Sequence, residues 1–177
     1  MSLNLRYTFD ENLQEVLENP KDAHQHVQTL LNQANTAENP LERSKNLGLA
    51  GVFLRMLRKL EEAQMYLEEA IQILSTNPNH RQLCIQQIRL AHVYQWQKDF
   101  SRSNILFDQL LESEQKSELA DFVWQHVGKN YFDQKRYKEA LDSFQNALKL
   151  RQIKNSPKDQ IESSENAISE TLKRLGS

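Results

Sequence analysis

The chain has 177 residues, enough for one domain whose core needs neither disulfide nor metal. Its 4 glycines and 4 prolines fall well below the ~7% and ~5% of ordinary chains, which excludes turn-rich sandwiches and barrels and any glycine-rich loop that could cradle a nucleotide phosphate. Lys+Arg at 22 against Asp+Glu at 24 gives a net charge of −2, without the basic excess of a nucleic-acid binder.

The N-terminal stretch Met1–Glu11 lacks the apolar core of a signal peptide. The longest apolar run, Leu47–Leu54, is far short of the ~20 residues that span a bilayer. Cys84 is the single cysteine, so no intramolecular disulfide forms. These features predict a cytoplasmic chain with no membrane contact.

Each proline follows a residue suited to a helix N-cap: Asn19-Pro20, Asn39-Pro40, Asn77-Pro78 and Ser156-Pro157. Proline is favoured at the first helical position because its missing N–H would be unpaired there anyway. Asp22, Glu42 and Asp159 stand where an acid meets the positive end of a helix. Helix starts are therefore expected near 20, 40, 78 and 157. Between them the apolar residues recur at three and four, as in Leu60, Ala63, Leu67, Ala70, Ile71 and Leu74, and in Tyr137, Ala140, Leu141, Phe144, Ala147 and Leu148. That is the period of amphipathic helices. No stretch alternates as a strand would.

The helices themselves repeat. Ala63-x3-Leu67-x2-Ala70 is echoed by Ser103-x3-Phe107-x2-Leu110 and Ala140-x3-Phe144-x2-Ala147, at offsets of 103−63 = 40 and 140−103 = 37. Ala23-x3-Val27-x2-Leu30 is a fainter copy upstream. A small residue, Gly51, Ala91 or Gly128, stands 12 residues before the first member of each of the three main copies. A period of this length, two helices long, indicates a helical repeat array. The small residue lets the second helix of each pair approach closely.

In these residues the chain resembles the tetratricopeptide repeat family. The third copy carries the likeness best, with Trp124-x2-Val127-Gly128-x2-Tyr131 followed by Ala140-x3-Phe144-x2-Ala147. All three copies depart from the family pattern in lacking the late proline, where Ser75, Gln115 and Gln152 stand, and in their longer period. The resemblance implies an all-α, right-handed superhelical solenoid of antiparallel helix pairs, about eight or nine helices in all. It divides the chain into degenerate N-terminal helices over 1–38, three repeats over 39–156, and a C-terminal capping helix over 157–177.

The resemblance also implies where function lies: on a concave face lined by the first helix of each pair. That face would carry Arg55 and Met56, then Arg89, His92 and Trp96, then Gln125, Lys129, Phe132 and Asp133. Cations mixed with aromatic surface suit a peptide or protein segment bearing acidic or carboxylate groups. The expected role is a non-catalytic protein-interaction module, with self-association left open. A peptide-sensing regulatory domain and a small export or assembly chaperone are the alternatives. The Lys-Asn-Arg clamp for chaperone tails is absent, since Val52 and Gly48, His92 and Ile88, and Lys129 and Gln125 occupy its places. No metal-ligand spacing, nucleophile motif or cofactor signature is present. Cys84, among Leu83, Ile85 and Ile88, reads as a buried thiol.

Overall fold

Asparagine side chains open three of the eight helices found among the described residues. The computed structural model describes residues 3–76 and 79–176. In chain order the elements are β1 (Tyr7–Phe9), β2 (Glu15–Leu17), α1 (Pro20–Thr36), α2 (Pro40–Met56), α3 (Leu60–Thr76), α4 (His80–Trp96), α5 (Phe100–Glu114), α6 (Ala120–Asp133), α7 (Tyr137–Ile153) and α8 (Lys158–Leu175). Asn19 Oδ1 accepts from the backbone N–H of Lys21 at 3.1 Å and Asp22 at 3.3 Å. Asn39 Oδ1 accepts from Leu41 N–H at 2.8 Å. These three bonds satisfy amide donors that the first turn of a helix leaves open.

At two further starts the helix begins near the expected place but with a different cap. Asn77 and Pro78 lie outside the described residues; α4 begins at His80, where Asn79 Oδ1 accepts from Gln82 N–H at 3.0 Å. At α8 the residue outside the helix is Pro157, whose extended backbone offers its carbonyl to Gln160 and Ile161, and Ser156 is not the cap.

The larger difference lies before α1. Residues 7–17 form an antiparallel hairpin with register Tyr7↔Leu17, Thr8↔Val16 and Phe9↔Glu15. The sequence reading placed helices and no strand here. Three-residue strands are too short to show an alternating pattern, and the turn uses no glycine. Instead Asp10 Oδ1 accepts from Gln14 N–H at 2.9 Å, and Leu13 takes φ 58. Of the region 1–38, only α1 is helical among the described residues.

The second helix of each repeat buries one stripe at spacings of four, three and four. In α1 it is Ala23, Val27, Leu30 and Ala34; in α3 it is Ala63, Leu67, Ala70 and Leu74. In α5 it is Ser103, Phe107, Leu110 and Glu114, and in α7 it is Ala140, Phe144, Ala147 and Arg151. The stripe is 3.6-periodic and faces the core. The chain forms two compact units. In the first, residues up to Asp10 join Gln14–Ser103, and α1, α2, α3 and α4 pack in sequence. In the second, Glu11–Leu13 joins the residues from Asn104 onward, α7 packs on both α6 and α8, and Leu13 lies against a core of Phe132, Ala140, Phe144 and Ala167.

Short turns return the chain antiparallel, and four of them share one design. After α2, Leu57 N–H donates to Phe53 O, Arg58 N–H to Arg55 O and Lys59 N–H to Leu54 O, each at 2.9 Å. The same three bonds recur at 97–99, 134–136 and 154–156. They satisfy carbonyls left open at the helix end. The middle residue is left-handed each time: Arg58 φ 62, Lys98 φ 63, Lys135 φ 61 and Asn155 φ 51. The offsets 98−58 = 40 and 135−98 = 37 match those of the sequence repeat.

Helix pairs meet where a Cβ has no room. A Cβ built on Gly51 would lie 2.6 Å from Leu67 Cγ, and one on Gly128 would lie 2.5 Å from Phe144 Cδ1 and Cε1. Gly128→Leu should therefore lower stability by ~1–3 kcal/mol in chemical denaturation. An unchanged midpoint would mean that α6 and α7 do not meet there. Lys135→Gly should act in the opposite direction. It removes a Cβ from a left-handed position, a relief of ~1–2 kcal/mol offset by about 0.5–1 kcal/mol of added chain entropy, so the midpoint should rise slightly.

Candidate functional site

The expected interaction residues of the first unit come from the last turns of α2 and from α4. Helix α2 ends at Met56 and α4 at Trp96, so Arg55 and Trp96 reach the same neighbourhood. The Arg55 guanidinium lies 4.3 Å from the Trp96 ring centroid, and that of Arg58 lies 4.1 Å from it. Cations stacked on an indole are attracted by the ring quadrupole, more so when desolvated.

Arg55 is 5% exposed. A guanidinium at that depth requires a counter-charge, and it has one: Arg55 Nη1 donates to Glu15 Oε2 at 2.9 Å. The acid comes from β2, and its side chain is itself 13% exposed. Beside it, Arg58 Nη2 donates to Gln14 Oε1 at 3.0 Å. The hairpin thus lays one acidic and one amide side chain on two arginines, Arg55 in the last turn of α2 and Arg58 in the turn that follows. Arg89, half-buried on α4, donates from Nη1 to Gln86 Oε1 at 3.1 Å. Burial, and secondarily the nearby charge of Arg55, pull its pKa down to about 10. A shallow cleft of about 220 Å³ opens between β2 and the end of α2, lined by Glu15, Val16, Leu17, Pro20, Met56, Leu57 and Arg58.

His92 and Trp96 are buried, at 6% each. His92 Nδ1 lies 2.6 Å from Gln95 Oε1, within hydrogen-bond distance. Met56 is half-buried on the cleft. Of the five expected residues of this unit, Arg55 and Trp96 are in direct contact and Arg89 feels the charge of Arg55.

In the second unit, Gln125 and Phe132 are buried at 3% each. Phe132 belongs to the core with Ala140, Phe144 and Ala167, edge-on to Tyr137 with ring centroids 5.3 Å apart. Lys129 and Asp133 are half-buried. Gln125 enters a network that the sequence pattern did not reveal. Arg151 stands at the fourth place of the α7 stripe, where α1 and α3 carry Ala34 and Leu74. Its Nη1 lies 3.2 Å from Gln125 Oε1, 2.8 Å from Ser164 Oγ and 2.6 Å from Gln160 O, and its Nε lies 3.4 Å from Asp121 Oδ2. Ser164 Oγ donates to Gln125 Oε1 at 2.6 Å, and Lys154 also pairs with Asp121. Burial pulls the Arg151 pKa down, against the opposing pull of Asp121. This network fastens α6, α7 and α8 to one another.

Among the described residues no three His, Cys, Asp or Glu side chains gather as metal ligands would, and no helix is long and apolar enough to cross a membrane. Cys84 is buried.

Residues 122–152 match the tetratricopeptide repeat family. Among solved structures, BtubC (BKLC) from P. vanneervenii is similar with a TM-score of 0.64 at 17% identity, over 88% of this chain and 66% of that one. The nearly identical TPR-like repeats assigned to a kinesin light chain of Podosopora anserina are similar with a TM-score of 0.60 at 15% identity, over 88% of this chain and 78% of that one. The chain thus spans just under two thirds of the length of the first. No curated protein matches the chain.

Proposed function

We propose that this chain, which carries a tetratricopeptide repeat and has the all-α helical-repeat fold of such proteins, is a non-catalytic interaction module for a protein or peptide segment bearing carboxylates. Tetratricopeptide repeats generally mediate protein–protein interaction. The recognition surface in the first unit is the region of α2 and α4 around Arg55, Met56, Arg89, His92 and Trp96. In the second unit it is the face of α6 around the half-buried Lys129 and Asp133; Gln125 and Phe132, expected on the same face, lie beneath it.

One observation carries this reading. The Arg55 guanidinium, stacked on Trp96, holds a carboxylate from an extended segment at 2.9 Å. The chemistry needed to hold an acidic side chain is thus present at the end of α2, buried at Arg55 and Trp96 and exposed at Arg58. An arginine is suited to the task because its planar fork meets a carboxylate while its face stacks on an aromatic ring.

A peptide array of acidic, neutral and basic segments tests the reading. Bound segments should be enriched in Asp and Glu, and raising the salt from 0.05 to ~0.5 M should weaken them as the Debye length shortens. Lys129→Glu with Arg58→Glu should lower affinity about tenfold, equivalent to ~1.4 kcal/mol. Arg58→Glu also removes the bond to Gln14 and the contact with Trp96, so the denaturation midpoint of each variant is measured alongside and affinities are compared between folded chains. Binding with no acidic preference and no salt dependence would contradict the proposal.

A further inference from the structure

We propose that the N-terminal hairpin is an internal ligand: its Gln14–Glu15 step occupies the Arg55–Arg58–Trp96 box, and an acidic extended segment of a partner takes the box by displacing it. The inference rests on the interaction reading above and names the occupant of that surface.

Four observations support it. The hairpin meets the box by charge and hydrogen bonding, through Glu15 on Arg55 at 2.9 Å and Gln14 on Arg58 at 3.0 Å. These are contacts that another acidic strand can reproduce. The hairpin is also poorly able to hold itself together: two strands of three residues are marginal alone, and Tyr7, Phe9 and Val16 remain exposed at 47%, 50% and 44%. Its place therefore depends on what it docks against. The cleft between β2 and the end of α2 shows that the docked strand does not fill the space beside Met56 and Arg58. Finally, with the hairpin docked Arg55 is 5% exposed, so removing the Glu15 charge in place leaves a buried cation without its counter-ion and favours a replacement acid. Burial of Arg89 near Arg55 strengthens that demand.

Displacement has a thermodynamic form. While the hairpin is docked, the competent fraction of the box is small, and apparent affinity for an outside segment is reduced by that fraction. Weakening the hairpin raises the fraction and hence the affinity by the same factor.

The test uses the full chain and a labelled synthetic peptide spanning residues 10–19 of its own sequence, which carries the acid of β2. Fluorescence anisotropy should show the peptide binding Glu15→Gln chain about tenfold more tightly than the unaltered chain. A peptide with its own Glu15→Gln change should lose that gain. If Glu15→Gln impairs folding, hydrogen exchange on the unaltered chain serves instead. Saturating peptide should speed exchange of the Asp10 and Glu18 amides, which bond to Gln14 O and Arg6 O in the docked hairpin. Equal affinity for both chains, or bound peptide with unchanged hairpin exchange, would overturn the internal-ligand proposal. If arrayed acidic segments still bind in that case, the interaction reading survives it. If no acidic segment binds either chain, both fall.

Discussion

Close approach of paired helices is the constraint on which the rest of the fold depends. Gly51 against Leu67 and Gly128 against Phe144 leave no space for a Cβ. Each contact fixes the rotation of the first helix of a pair, because the small residue must face its partner. Once α2 is fixed in this way, its final turn delivers Arg55 toward α4 and the hairpin. The left-handed residues Arg58, Lys98 and Lys135 then close each pair with the same three backbone bonds. Packing at the small residues and the chemistry at the helix ends are two consequences of one geometry.

The two units place their buried charge differently. In the first, Arg55 is compensated by an acid on a separate hairpin, 40 residues away in sequence. In the second, Arg151 is enclosed by Asp121, Gln125, Ser164 and a backbone carbonyl, all from helices packed on one another. An enclosed pair of that kind fastens helices. The pair whose acid sits on a short hairpin is the one proposed to open and be remade by another acid. This difference in support, more than the charges themselves, distinguishes the Arg151 network from the interaction surface proposed around Arg55.

Much of the fold was legible because it obeys local rules. The stripe Ala63, Leu67, Ala70 and Leu74 is visible in the letters and buried in the structure, and the Asn19 and Asn39 caps stand where the prolines implied. The hairpin was not legible: its strands are three residues long and its turn is held by an Asp10 side chain instead of glycine. The candidate site was legible as a set of residues but not as an environment. Arg55, His92, Trp96, Gln125 and Phe132 read as surface groups, yet all five are buried. Their burial comes from contacts that no local period encodes: a hairpin acid for Arg55, the core of the second unit for Phe132, and the Arg151 network for Gln125.

The central claim is that the box at the end of α2 holds a carboxylate, and that this carboxylate is Glu15. A double-mutant cycle measures it directly. Chemical denaturation of Glu15→Gln, Arg55→Gln and the double variant should give a coupling energy of at least ~1 kcal/mol, within the ~0.5–3 kcal/mol range of residues in direct contact. A coupling indistinguishable from zero, with both single variants folded, would show that Arg55 and Glu15 do not depend on one another and would contradict the account.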